Sequence, residues 1–312
     1  MSARILNGNV IAASIKTELT IEIDEMKSRG VVPGLAAVLV GENPASQVYV
    51  RSKVKTCEAL GLYSDLSHLP ATASTDEILD IVSGLNARND IDGILVQLPL
   101  PPQVDTKRVL LAIDPAKDVD GLHPLSAGNL MSGGPGIVPC TPAGIIQILD
   151  RSGIPIQGAR AVVIGRSDMV GKPVALLLLR RNATVTICHS QTANLANVAR
   201  EADILVAAIG KPGLVTWDFI KPGATVIDVG TTRLTTPEEV RAVFREPLEP
   251  LEQLAAKGSI LVGDVLPKDA YEKAAAYTPV PGGVGPLTIA MLMSNTVRAA
   301  RLRRGGVQQS QA

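Results

Sequence analysis

The sequence has few aromatic residues and no excess of either charge. One Trp, four Tyr and two Phe occur among 312 residues, so few rings are available to stack on nucleic-acid bases. Lys plus Arg and Asp plus Glu each number 30, which gives a formal net charge of zero and no general attraction to a phosphate backbone. The composition therefore predicts that the protein has no nucleic-acid partner.

Cysteines are also scarce, and the three present are far apart in the chain. Cys57, Cys140 and Cys188 form no CxxC pair and no Cys/His cluster, so neither a disulfide framework nor a zinc site is expected, and we assign no metal. The apolar runs at 174–179 and 204–209 are much shorter than the roughly 20 residues that cross a bilayer. The first residues lack the apolar run of a signal peptide. We expect a cytoplasmic protein without a membrane partner.

Apolar residues are abundant, and their pattern indicates an α/β fold. They make up 46% of a chain whose 312 residues suffice for about two domains. Short β-branched runs alternate with helical patterns, which favours mainly parallel strands. The predicted strands lie at 35–40, 93–97, 161–164, 184–188, 204–209, 225–229 and 259–262.

Capping residues mark the predicted helix ends. Gly61 ends a helix over 46–60, and Ser74 with Glu77 forms a capping box for a helix over 74–86. Thr141 is expected as the N-cap, and Pro142 as the first residue, of a helix that reaches residue 151. The chain is expected to begin with an amphipathic helix.

The spacing of the strands predicts the domain organisation. Strands recur about every 20 residues between 160 and 230, which is typical of a Rossmann-type sheet. We predict a catalytic domain at 1–140 and a nucleotide-binding domain at 141–281. A last helix within 282–304 is expected to pack back on the first domain, and 305–312 to form a flexible tail.

A glycine loop follows the strand at 161–164. The loop begins at Gly165 but departs from the strict GxGxxG pattern, because Ser167 and Val170 stand at the second and third glycine positions and Gly171 comes one residue later. The order of strand, glycine turn and helix is nevertheless that of a dinucleotide site. Gly165 allows a tight turn, and Gly171 lets the backbone approach a phosphate at the helix N-terminus. The alternative is an ordinary strand-to-helix loop.

The end of the next strand indicates which dinucleotide is preferred. NAD sites place an acid there for the ribose hydroxyl, but residues 188–192 read CHSQT. Arg166 and Ser190 could receive a 2′-phosphate instead, so we predict NADP. Arg166 could also be a solvated loop cation, and His189 could be structural.

The first domain offers four polar candidates. Tyr49 and Lys53 lie four residues apart on one helix face, where burial would favour a neutral, proton-accepting lysine. The alternative is an exposed lysine beside a packed tyrosine. Gln97 ends a strand, where α/β proteins bind ligands. Asp120 could pair with donors of a heterocycle or cap its own turn.

Taken together, the motifs resemble the bifunctional methylenetetrahydrofolate dehydrogenase/methenyltetrahydrofolate cyclohydrolase family. The resemblance extends over nearly the whole chain and keeps the family's order. Its motifs are YVRSKVK at 49–55, QLPLP at 97–101, KDVDG at 117–121, PCTP at 139–142, GRSDMVGKP at 165–173 and PVPGGVGP at 279–286.

The resemblance implies a homodimer that uses NADP on tetrahydrofolate derivatives in one-carbon metabolism, including purine biosynthesis. It implies oxidation of the methylene form to the methenyl form, followed by hydrolysis to 10-formyltetrahydrofolate. Lys53 would be the general acid/base, Tyr49 would stack on the folate, Gln97 would position Lys53, and Asp120 would hold the pterin ring.

The resemblance also implies two sets of binding residues. The expected cofactor residues are Gly165, Arg166, Ser167, Val170, Gly171, Ser190 and Thr231. The expected substrate residues are Tyr49, Lys53, Gln97, Leu98, Pro99, Asp120, Pro281, Gly282 and Gly283.

Parts of the chain depart from the family pattern. Thr231-Thr232-Arg233 replaces the common Ile-Asn-Arg, and the segment 235–257 is expected to be a surface insertion or a partner-binding element.

Three other functions stay open. They are a monofunctional dehydrogenase of the same family, another Rossmann oxidoreductase with Lys53 as proton donor, and a nucleotide-binding regulatory or interaction protein.

Overall fold

A computed structural model of the chain describes residues 2–304, so the predicted tail at 305–312 lies outside the described residues. The strands are β1 Arg4–Ile5, β2 Gly34–Val40, β3 Tyr63–Leu69, β4 Gly93–Val96, β5 Arg160–Ile164, β6 Thr184–Cys188, β7 Ile204–Ala207, β8 Thr225–Asp228, β9 Thr232–Leu234, β10 Ile260–Val262 and β11 Ala276–Tyr277. None of the helices within 2–304 is long and apolar enough to span a bilayer.

The helices alternate with these strands along the chain. They are α1 Gly8–Ser28, α2 Pro44–Leu60, α3 Thr75–Ala87, α4 Thr106–Ala112, α5 Pro124–Ser132, α6 Cys140–Arg151, α7 Gly171–Arg180, α8 Leu195–Ala199, α9 Pro237–Val243, α10 Leu248–Lys257, α11 Pro267–Lys273 and α12 Val284–Arg304, with a 3₁₀ helix at Trp217–Phe219.

The described residues divide into two compact units. The six-stranded unit contains residues 2–12 and 141–288, and the three-stranded unit contains 13–140 and 289–304. Residues 2–12, expected in the first domain, belong to the six-stranded unit because β1 pairs with β11 at the edge of its sheet. Residues 282–288 belong there too, so the part of the last helix in the three-stranded unit begins only at residue 289.

The sheet of the six-stranded unit is parallel, in the order β1-β11-β8-β7-β5-β6. Because β6 follows β5 on one side and β7 lies on the other, the strand order reverses between β5 and β7. Ligands of open α/β sheets bind at the carboxyl ends of the strands at such a reversal. The glycine loop after β5 therefore begins at the position where a nucleotide site is expected.

A small lobe occupies the segment between β9 and β10. These two strands pair antiparallel, and α9 and α10 connect them. The lobe has an apolar cluster of its own, formed by the buried side chains of Leu234, Val240, Leu254, Ile260 and Val262. The segment 235–257 is thus two ordered helices on a hairpin of strands.

The three-stranded unit also has a parallel sheet in which the strand order reverses. Its parallel sheet has the order β3-β2-β4, so the strand order reverses between β2 and β4. An isolated bridge between Ile94 and Asp118 continues the sheet beyond β4. The ends of β2 and β4, and the loop after Asp118, consequently lie at one edge of this sheet.

Two buried ionic groups stabilise this unit. Asp92 is fully buried and accepts hydrogen bonds from Gly34 N, Arg303 Nη1 and Arg304 Nε, which fix the end of α12. The Lys117 ammonium donates to the carbonyl oxygens at the end of α3, and burial lowers the pKa of Lys117. Lys117 is therefore a structural residue of the KDVDG motif.

Several element boundaries differ from the sequence-based expectation. β3 was not expected, because it is an edge strand with mostly polar, partly exposed residues. Helix α6 begins at Cys140, so Thr141 lies inside it, and its Oγ1 atom is 2.9 Å from Oγ1 of Thr288. The first residues form β1 before the helix begins at Gly8, because they pair with a strand far along the chain.

Candidate active site

The candidate lysine lies on α2, whose two ends are fixed by caps. The Asn43 side chain accepts a hydrogen bond of 3.1 Å from Ser46 N, and Pro44 occupies the first turn. Gly61 adopts the left-handed conformation with φ of 72° and ends the helix. These caps fix the length of α2 and hence the position of the face that carries Lys53.

The face of α2 that carries Lys53 runs from solvent into the core. Tyr49 is 40% exposed, Lys53 7% and Cys57 0%, at successive steps of four residues. This is the reverse of an exposed lysine beside a packed tyrosine. The tyrosine ring is therefore accessible, whereas the lysine is largely withdrawn from water.

Gln97 is the hydrogen-bond partner of Lys53. Lys53 Nζ donates to Gln97 Oε1 at 2.9 Å, and Gln97 Nε2 donates to Leu98 O at 2.7 Å. The Gln97 backbone N–H donates to Val38 O of β2, which fixes the residue at the end of β4. The structure thus joins two of the expected catalytic residues at the reversal of the strand order.

Asp118 and Asp120 have different roles in the KDVDG loop. Asp118 accepts hydrogen bonds from Leu122 N at 3.2 Å, His123 N at 2.8 Å and Ser126 Oγ at 2.7 Å. No backbone N–H of residues 2–304 donates to the Asp120 carboxylate. Asp118 therefore caps this turn, and Asp120 is left available for a ligand.

The surroundings of Asp120 are poorly solvated. Burial raises the pKa of Asp120, and the positive charge of Lys53 opposes this effect. Cys140 Sγ lies 3.7 Å from Asp120 Oδ1, and burial, followed by the Asp120 charge, raises the pKa of the Cys140 thiol. Lys53, Asp120 and Cys140 therefore form one electrostatically coupled group within the three-stranded unit.

The glycine loop after β5 is tightly packed. Gly165 has φ of 133°, and a Cβ atom at Gly171 would lie 2.3 Å from Gly165 O. A side chain at residue 171 would therefore prevent the close packing of α7 against the end of β5. This reason for a glycine adds to the one from the sequence, which is that glycine lets the backbone approach a phosphate. Ser167 Oγ accepts from Val170 N at 3.2 Å and from Gly171 N at 3.3 Å, which orders the loop.

Arg166 and Ser190 leave neighbouring strands at the same level. Ile164 of β5 is opposite Cys188 of β6 in the register, and both Arg166 and Ser190 follow two residues later. Both are exposed, and no carboxylate among residues 2–304 pairs with Arg166. His189 Nδ1 accepts from Gln191 N, so this histidine orders the turn that presents Ser190.

The turn at 279–286 packs against the first residues of the chain. The Val280–Pro281 peptide is cis, and Gly8 N donates to Gly282 O at 2.8 Å. A Cβ atom at Gly8 would lie 1.7 Å from Gly283 O, so the two segments are in direct contact. Thr231, three residues after the end of β8, is exposed.

Sequence analysis did not identify a buried pair of carboxylates, Asp228 and Asp264. Asp228, at the end of β8, accepts from the backbone N–H groups of Gly230, Asp264 and Val265. Burial raises the pKa of Asp228 to about 7. Asp228 ends the apolar strand β8, and the second carboxylate, Asp264, follows the apolar strand β10. Polar residues are common at the ends of strands, so no local signal distinguished these two.

Asp264, the second carboxylate, links this pair to the loop after β7. Its Oδ2 atom accepts from Ile209 N at 2.7 Å and from Gly210 N at 3.0 Å. Within residues 2–304 its buried Oδ1 atom has no hydrogen-bond partner. The pair therefore ties together the ends of β7, β8 and β10.

These two parallel sheets, each with polar residues at a reversal of strand order, define a two-domain α/β enzyme with a dinucleotide site. The family model "Tetrahydrofolate dehydrogenase/cyclohydrolase, catalytic domain" matches residues 6–120, and the "NAD(P)-binding domain" model of the same family matches residues 139–304. The chain belongs to the tetrahydrofolate dehydrogenase/cyclohydrolase family, which confirms the resemblance and the two-domain α/β fold class.

Related proteins are similar over almost their whole length. The Bifunctional protein FolD of Koribacter versatilis is 61% identical over 305 residues, which are 98% of this chain and 99% of that protein. FolD of Campylobacter jejuni has a solved structure with a TM-score of 0.88 at 40% identity, covering 97% of this chain and 100% of that one. FolD of Trypanosoma brucei, solved with NADP cofactor and inhibitor, has a TM-score of 0.87 at 40% identity, covering 97% and 98%.

The segment 235–257, expected to be a surface insertion or a partner-binding element, carries helices α9 and α10. Their apolar side chains form a cluster with those of β9 and β10, so the segment packs on this hairpin of strands.

Proposed function

We propose that this protein oxidises 5,10-methylenetetrahydrofolate to the 5,10-methenyl form with NADP and then hydrolyses that product to 10-formyltetrahydrofolate. The observation that carries the proposal is the hydrogen bond of 2.9 Å between Lys53 Nζ and Gln97 Oε1 at a nearly buried lysine. The family to which the chain belongs, named for both activities, supports the assignment.

Lys53 moves the proton of the hydrolysis step. Water must lose a proton as it attacks the methenyl carbon, and an amine withdrawn from water is a suitable acceptor. The amide oxygen of Gln97 is uncharged, so it orients Lys53 without fixing it in the charged form, as a carboxylate would. The substrate itself is a cation, and its charge further disfavours a second positive charge nearby.

The folate is held by groups of the same unit. Tyr49 is accessible for stacking on the substrate, and Asp120 has a carboxylate that no backbone donor occupies. A carboxylate accepts hydrogen bonds from the N–H donors of a pterin ring. Leu98 and Pro99, which follow Gln97, are further substrate residues that we propose. For Pro281, Gly282 and Gly283, which belong to the six-stranded unit, a role in substrate binding stays a prediction from the family resemblance.

NADP, when bound, supplies the hydride acceptor of the first reaction. The residues present fit it, because Gly165 and Gly171 bring the start of α7 against the strand end while Arg166 has no carboxylate partner among the described residues. Arg166 and Ser190 bind the 2′-phosphate, and Ser167, Val170 and Thr231 complete the set that we propose. No acid follows β6 to favour NAD.

A steady-state assay tests both activities at once. Purified protein is given 5,10-methylenetetrahydrofolate with either NADP or NAD, and reduced cofactor, methenyl product and 10-formyl product are measured separately. We expect turnover with NADP and little accumulation of the methenyl form. Accumulating methenyl product would identify a monofunctional dehydrogenase, and no turnover with either cofactor would reject the folate assignment.

We also propose that the protein is a homodimer of the cytoplasm that serves one-carbon metabolism and purine biosynthesis. Support for a second copy comes from β6, the sheet's edge strand, where Ile187 is 44% exposed and Leu179 of the neighbouring helix is 57% exposed. Light scattering after gel filtration measures the assembly. A mass near 33 kDa would indicate a monomer instead of a dimer.

A further inference from the structure

Asn295 of α12 links the two loops that carry Asp120 and Cys140. It is 5% exposed, and its Nδ2 atom lies 2.9 Å from both Val119 O and Val138 O. Val119 directly precedes Asp120, and Val138 is two residues before Cys140. One amide group therefore holds two loops that are separate in the sequence.

The geometry accounts for the use of an amide at this position. A primary amide nitrogen has two hydrogens, and the two carbonyl oxygens at 2.9 Å take both. A leucine would leave two buried carbonyls without a donor, and an aspartate would place negative charge against them. Asn295 therefore does more than fill space.

Cys140 lies on the loop that Asn295 holds through Val138 O, and it contacts the Asp120 loop. The Cys140 Sγ atom lies 3.4 Å from Val119 O and 3.7 Å from Asp120 Oδ1. Because the thiol keeps its proton in this buried setting, it is a donor, although a weak one. Its single hydrogen therefore has two acceptors within reach, and both belong to the loop of Asp120.

We propose that Asn295 is a positioning residue for Asp120, acting through the Val119 carbonyl, and through the Val138 carbonyl that fixes the loop of Cys140, to aim the carboxylate at the folate. This inference rests on the proposed function, in which Asp120 binds the pterin ring. It assigns a role to the PCTP motif that neither the hydride step nor the hydrolysis step requires.

The test compares two substitutions of buried polar residues in neighbouring positions of α12. Asn295→Leu removes both donors, and we expect the KM for 5,10-methylenetetrahydrofolate to rise about tenfold while the KM for NADP stays unchanged. Thr296→Val is the matched control, since Thr296 Oγ1 donates only to Leu292 O within the helix. That control should lower the melting temperature without changing either KM.

A double-mutant cycle distinguishes positioning from general damage. If Asn295 acts through Asp120, then Asn295→Leu should have no further effect on kcat/KM for the folate in an Asp120→Ala background. Additive effects, or an equal rise in the KM for NADP, would overturn the inference. Should Asn295→Leu fail to fold, Cys140→Ala is expected to raise the folate KM severalfold, and an unchanged KM would reject the link.

The parent protein separates this inference from the proposed function. If the parent does not turn over 5,10-methylenetetrahydrofolate, the proposed function fails before any variant is compared. If the parent is active and Asn295→Leu is folded with an unchanged folate KM, only the role of Asn295 is rejected.

Discussion

Lys53 Nζ donates a hydrogen bond of 2.9 Å to Oε1 of Gln97, an acceptor that carries no charge. A carboxylate in that place would stabilise the ammonium form by direct charge attraction. An amide fixes the direction of the lysine side chain without adding a negative charge beside it. The proposed acid/base role of Lys53 rests on this distinction.

Replacing Lys53 by Met should abolish the hydrolysis and spare much of the oxidation. Hydride transfer from a carbon that becomes a resonance-stabilised cation needs positioning more than a strong base. We expect the cyclohydrolase rate to fall by about 100-fold or more, measured as decay of methenyltetrahydrofolate. Lys55→Met on the exposed face of α2 is the control, and equal rates in both variants would remove Lys53 from the mechanism.

Replacing Gln97 by Glu should move the hydrolysis to higher pH. The new carboxylate favours the charged lysine, so fewer molecules carry the proton-accepting form at neutral pH. The cyclohydrolase rate is therefore expected to drop at pH 7 and to recover partly as the pH rises. A pH profile of kcat that coincides with that of the parent would contradict the proposed role of Gln97.

The sequence predicted the fold better than it predicted the roles of individual loop residues. Apolar runs and caps located α2, α3 and the inner strands, because burial and capping depend on local pattern. The polar edge strand β3 and the two-residue strands β1 and β11 depend on pairing with distant segments. The candidate site follows the same rule. Short motifs pointed to Lys53 and Gln97, whose hydrogen bond the structure shows, whereas the buried Asn295 carries no local signal.

Asp118 and Asp120 are expected to respond differently to removal of the carboxylate. Asp118→Ala leaves three donors without their charged acceptor and should lower the free energy of unfolding by about 3 kcal/mol. Asp120→Ala should leave stability nearly unchanged and raise the KM for the folate. Urea unfolding and steady-state kinetics measure the two effects, and a reversed pattern would exchange the assigned roles.

The preference for NADP is expected to depend on Arg166. Arg166→Ser should raise the KM for NADP about tenfold or more and alter the KM for NAD little, because only NADP carries the 2′-phosphate. Arg180→Ser on α7 removes the same charge from an exposed position and serves as the control. Equal losses with both cofactors would show that Arg166 does not recognise the phosphate.

The stability of the protein should depend on pH through Asp228. Burial raises its pKa from an ordinary value of 3.8 to about 7, so between these values the folded chain binds more protons than the unfolded chain. The free energy of unfolding must then fall as the pH rises from about 4 to 7. Thermal unfolding across this range measures the slope.

Asp228→Asn should flatten that slope, even if the variant is less stable at every pH. Asp203→Asn is the matched control, because the hydrogen bond from Lys221 lowers the pKa of Asp203 and its titration falls below this range. A slope in Asp228→Asn that equals the slope of the parent would assign the effect to another group.

The pairing of β1 with β11 has a consequence for how the chain is made. Arg4 and Ile5 are synthesised long before their partners Ala276 and Tyr277, which follow more than 270 residues later in the chain. That edge of the larger sheet therefore closes only after β11 has been made, and until then β8 has no neighbour on that side and β1 has no partner. Deleting residues 2–12 would remove β1 from the six-stranded sheet and leave all strands of the three-stranded sheet, β3-β2-β4, in the chain.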